Sequence, residues 1–149
     1  MSLTDLIPTL QLAIGPVILI SGIGLILLSM TNRYGRLLDR ARRLTSDLHG
    51  ASEPDRIRLI AQLRILSSRA VFSRASITFA AISILLAAIL IISLFLGALL
   101  QLEIAAIIVV IFILCVLSLI ISLLLFLSDI NLSLKALWLE IPPEGRQKA

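Results

Sequence analysis

The side chains able to do covalent or metal chemistry are few and far apart. A nucleophilic thiol needs a base within hydrogen-bond reach, and the chain offers one cysteine, Cys115, and one histidine, His49. Cys115 stands in the middle of an apolar, charge-free run, whereas His49 falls at the tip of a strongly basic stretch, so the two do not meet. The thiol reads as a small apolar filler among Leu and Ile, and His49 as a solvated turn residue. One thiol makes no intrachain disulfide. Zinc asks for paired Cys or His and calcium for a cage of oxygens, and neither pattern occurs. No metal or other cofactor and no small-molecule substrate is therefore expected. Gly22-Ile23-Gly24 is not a phosphate loop, because no strand precedes it. Ion pumps place an ionisable group within the membrane, and the apolar runs hold none. Glu103 and Asp129 flank the third run, where each reads as a hydrated helix terminus. The expectation is a protein that is not an enzyme.

What must position these residues is set by an apolar composition. The chain is 149 residues long, 59% hydrophobic and 15% charged, with a mean hydropathy of +1.10, whereas a soluble domain is about 25% charged. Charge is also segregated: residues 6–32, 75–102 and 104–128 contain no Asp, Glu, Lys, Arg or His. Each run exceeds the ~20 residues that cross about 30 Å of hydrocarbon. Three soluble core helices, apolar all round, would each need cover on every side, and the remaining residues are too few. The reading is a single all-α membrane domain with three transmembrane helices: span one at 6–32, span two at 75–102 and span three at 104–128. The N-terminus lacks the positive region of a cleavable signal, so the first run is a retained span.

Ten of the thirteen basic residues lie between spans one and two: Arg33, Arg36, Arg40, Arg42, Arg43, Arg56, Arg58, Arg64, Arg69 and Arg74. The positive-inside rule makes that connection cytoplasmic, with the N-terminus outside and the C-terminus inside. The connection, 33–74, is itself patterned. Leu37, Ala41, Leu44 and Leu48 on one side of Gly50, and Leu59, Leu63 and Leu66 on the other, follow the a/d spacing of a coiled-coil seam. Gly50 can end one helix, Ser52 and Asp55 have capping-box spacing, and Pro54 suits a first turn. The expectation is a cytoplasmic antiparallel helical hairpin formed by extensions of spans one and two. After span three, Ile130, Leu134, Leu137, Trp138 and Ile141 follow helical spacing, which predicts a short interfacial helix over 129–141 stopped by Pro142-Pro143. Residues 142–149 read as a tail.

The run 16–43, with Leu25-Ile26-Leu27-Leu28, Thr31-Asn32-Arg33 and Leu38-Asp39-Arg40-Ala41-Arg42-Arg43-Leu44, resembles a family of small bacterial membrane proteins catalogued only as a domain of unknown function, family 2721. Leu66-Ser67-Ser68-Arg69-Ala70 resembles its second shared stretch. The resemblance implies the three-span layout and a bacterial inner (cytoplasmic) membrane, and it carries over no activity and no site residues.

One face of span one is distinctive. Gln11, Gly15, Gly22 and Ser29 fall nearly on one side of a helix, and steps of seven from Ser29 reach Arg36 and Arg43, given slight supercoiling. Small residues commonly mark helix contacts in lipid, which favours a homo-oligomeric assembly or scaffold. The alternative is a pore for small ions, anions by preference, lined by this stripe and ringed by the two arginines. A third reading is an accessory subunit docking through the hairpin. The basic residues otherwise read as a face near anionic headgroups, with Arg33 and Arg74 closest to the bilayer. No nucleic-acid partner is expected, because topology accounts for the charge.

Overall fold

The computed structural model describes the backbone of residues 3–101 and 103–140 and the side chains of residues 7–101 and 103–131. Every element among them is a helix: α1 (Leu3–Leu48), α2 (Glu53–Leu100) and α3 (Ala105–Glu140). Each is long and apolar enough to cross a membrane. At ~1.5 Å per residue, the 46 residues of α1 and the 48 of α2 are roughly twice as long as the ~30 Å of hydrocarbon they have to cross. α1 therefore carries residues 33–48, and α2 residues 53–74, as an unbroken continuation of its apolar length. Pro8 and Pro16 lie within α1, where membrane helices tolerate proline because neighbouring groups can satisfy the freed carbonyls.

The links are short and locally capped. His49 and Gly50 send their backbone N–H groups back to Ser46 O and Asp47 O, at 3.2 and 3.3 Å, and His49 Nδ1 lies 2.9 Å from Thr45 O. The histidine is thus an exposed turn residue that covers a helix-terminal carbonyl. Ser52 is the N-cap of α2 but makes no side-chain cap bond. Its hydroxyl donates instead to Asp55 Oδ2 at 3.0 Å, so the capping-box spacing yields a side-chain pair. At the other end, Gln101 adopts φ 49° and ψ 42°, and its N–H returns to Gly97 O, a left-handed helix stop supplied here by a non-glycine residue.

α2 packs along both α1 and α3. The three meet in a cluster of buried Ile23, Met30 and Ala80, flanked by Leu19, Ile26, Leu27, Ile77, Ile84, Leu119 and Phe126. Within 33–74, Leu37 and Leu66 are buried, and Ala41, Leu44, Leu48, Leu59 and Leu63 are half-buried. The separate interfacial helix expected over 129–141 is corrected: α3 runs without a break to Glu140. No Pro or Gly occurs between residues 105 and 141 to stop it. The side chains of Leu134, Leu137 and Trp138, residue Ile141 and the tail 142–149 lie outside the described residues.

Candidate functional site

Where the apolar lengths end, three charges from three helices converge. Asp129 on α3 is 1% exposed. Arg33 Nε from α1 lies 3.5 Å from its Oδ2, and Arg69 Nε from α2 lies 3.6 Å from its Oδ1. Phe126, one turn before Asp129, offers its ring face to the Arg33 guanidinium at 5.6 Å from the ring centre, a favourable cation–π placement. The arrangement fastens all three helices at one point. A carboxylate removed from water would be strongly unfavourable alone, and opposite charges on both of its oxygens offset that loss. Neither Asp129 oxygen has a hydrogen-bond partner in the strict sense, so the attraction is that of close ion pairs.

Deeper in the bundle, hydroxyls and one thiol close the α2–α3 contact. Ser122 Oγ donates to Ser76 O and Ser118 Oγ to Phe79 O, both at 2.8 Å. Ser83 Oγ donates to Cys115 O at 2.9 Å, and Cys115 Sγ returns a bond to Ser83 O at 3.2 Å. Ser76 Oγ in turn donates to Met30 Sδ at 3.3 Å, tying α2 to α1. Small side chains let the backbones come close enough for these bonds, the packing mode that replaces hydrophobic attraction in lipid. Cys115 is buried and acts as part of that contact. Among the described residues no group of His, Cys, Asp or Glu is placed to hold a metal ion.

The residues singled out on span one lie elsewhere. Gln11, Gly15, Gly22, Ser29, Arg36 and Arg43 are all exposed, and a Cβ added at Gly15 or Gly22 would meet nothing within 4 Å. The line of α1 turned toward the other helices is displaced from that stripe by a single residue: Ile23, Met30 and Leu37 are buried. One residue is about 100° of helix rotation, so the chain's own spans leave the glycine face uncovered.

The family catalogued as Protein of unknown function (DUF2721) matches residues 13–139. The chain belongs to that family. No curated protein and no solved structure matches it.

The expectation that Asp129 is a hydrated terminus is corrected by its burial between two arginines. Its position was legible: Cys115, Ser122 and Asp129 stand seven apart on α3, and Arg69, Ser76 and Ser83 stand seven apart on α2. The charged residues therefore continue the lines of small polar residues that pack. A search for sevens confined to span one passes over both.

Proposed function

We propose that this protein is a non-enzymatic, homo-oligomeric assembly of the bacterial inner membrane, with its N-terminus outside and its C-terminus inside. In this reading residues 33–74 form a cytoplasmic antiparallel hairpin closed along the Leu37–Leu66 seam, and span one makes the contact between copies. The observation that carries it is the uncovered face of Gly15, Gly22 and Ser29, beside inner faces already closed by the chain's own hydrogen bonds. Self-association of soluble and membrane chains usually closes into a symmetric ring or dimer.

Disulfide cross-linking of Gly22→Cys in a Cys115→Ser background tests this, with Ile113→Cys, exposed on α3, as the comparison. Cross-linked species specific to position 22, and an oligomeric mass in nanodiscs, are expected. A monomer at every concentration refutes the assembly.

A second reading is a pore along the same axis, favoured by the exposure of all six residues from Gln11 to Arg43. It expects ion flux in proteoliposomes whose anion preference falls in Arg36→Glu. Co-purification of a stoichiometric partner would instead assign the chain to a larger complex as an accessory subunit.

A further inference from the structure

Two arginines face one carboxylate at the junction of the three helices, which leaves one positive charge unmatched. Among the described residues no other acid pairs with Arg33 or Arg69. Both are largely withdrawn from their surroundings, with side chains 26% and 15% exposed. An unmatched cation in so confined a place is unfavourable unless an anion joins it.

The geometry leaves room for one. Each arginine turns its Nε edge to Asp129. Arg69 Nε is buried without a hydrogen bond, and the terminal nitrogens of both arginines make none among the described residues. Both guanidinium groups approach the same carboxylate, one on each oxygen, and phosphate is the anion whose geometry their forked donors match. They stand where the apolar runs give way to charge, as residues at a headgroup would. Arg33 is the first charge after the run 6–32, and Asp129 follows directly on the run 104–128.

We infer that Arg33 and Arg69 form a binding site for the phosphate of an anionic phospholipid, with Asp129 holding the two guanidinium groups in place while competing for them. The site is independent of the assembly proposed above, since all three residues come from one chain. It also adds Arg69 to the headgroup contact expected at Arg33 and Arg74, the latter exposed and outside the cluster.

Native mass spectrometry of the full chain released from nanodiscs of phosphatidylcholine and phosphatidylglycerol reads the site directly. Wild type is expected to retain phosphatidylglycerol in preference to phosphatidylcholine. Arg69→Gln should lower that retention by about fivefold, the effect of one basic residue at a headgroup. Asp129→Asn should raise it, because the competing anion is gone. That gain separates a binding site from a purely structural cluster, and a misfolded variant cannot produce it. Retention without lipid preference, or an Asp129→Asn variant that fails to gain, overturns the inference. Displacement of phosphatidylglycerol by added inorganic phosphate would assign the cluster to a soluble phosphate and overturn the lipid as its source.

Discussion

Two parts of the molecule carry small residues at seven-residue spacing, and they meet opposite fates. Along α2 and α3, Ser76, Ser83, Cys115 and Ser122 are buried against one another, and each donates across the interface or to α1. Along α1, Gly15, Gly22 and Ser29 remain exposed. The difference lies in what the facing helix returns. A hydroxyl opposite a close backbone carbonyl gains a bond that lipid cannot supply, whereas a glycine only permits approach. Small size is thus a permission, and the reciprocal donor decides whether it is used within the chain.

The most severe way to disturb the closed interface is at its charged end. Arg33→Leu with Arg69→Leu strands Asp129 without a partner, a change that typically destabilises by about 3–5 kcal/mol. Adding Asp129→Leu should recover most of that loss, because a well-packed apolar trio replaces a buried ion cluster at little net change. Unfolding of the three forms in a detergent titration checks this. If the double variant is as stable as the triple, Asp129 is not held by its arginines.

The 33–74 segment offers the next largest test, because its proposed seam is apolar and lacks the bonds of the α2–α3 interface. Leu44→Asp or Leu63→Asp puts a charge among half-buried leucines, which should weaken local packing by about 3 kcal/mol. The three apolar runs insert on hydropathy alone, so the variant should still reach the membrane. Limited proteolysis in nanodiscs at the arginines from Arg36 to Arg69 is the measurement. Cleavage of wild type as fast as the variant would mean that the seam is open.

The helices themselves were legible because charge-free runs and capping residues are local properties of a sequence. The passage of α1 beyond residue 32 and of α2 up to residue 75 followed from the absence of any Pro or loop cluster at those two joins, and the break between them from Gly50 and Pro54. The end of α3 did not, since a change from apolar to mixed composition at Asp129 suggested a new element while the backbone simply continued. The spacing places Asp129 on a packing line, but its pairing with two arginines was hidden for a related reason. A carboxylate next to an apolar run looks hydrated until the arginines that face it are known, and those come from residues 60 and 96 positions earlier in the chain.

Exchanging residues between the two small-residue lines sharpens the contrast further. Ser83→Leu forces a large side chain into a buried contact and loses its hydroxyl bond, with an expected destabilisation of about 2 kcal/mol. Gly22→Leu should leave the stability of the isolated chain unchanged, since nothing stands within 4 Å of the added Cβ, and should lower the oligomeric mass instead. Mass photometry alongside unfolding separates the two effects. A Gly22→Leu chain that is itself destabilised would show that the glycine face is covered within one molecule.

The smallest effects belong to single hydroxyls. Ser122→Ala and Ser118→Ala each remove one donor while keeping a small side chain, so helix approach is preserved. The carbonyls they leave, Ser76 O and Phe79 O, sit within regular α2, where a helical carbonyl still accepts from the N–H four residues on. Neither acceptor is therefore orphaned. Interhelical hydrogen bonds in membranes average about 0.6 kcal/mol for the further reason that a displaced helix finds other partners. Each variant should lose about that much. The double variant should lose about twice as much if the bonds act independently, so that a double-mutant cycle closes to within ~0.3–0.5 kcal/mol. A loss well beyond 2 kcal/mol from Ser122→Ala would instead couple this hydroxyl to the Asp129 cluster one heptad away, and the ladder and the charges would have to be treated as a single cooperative unit.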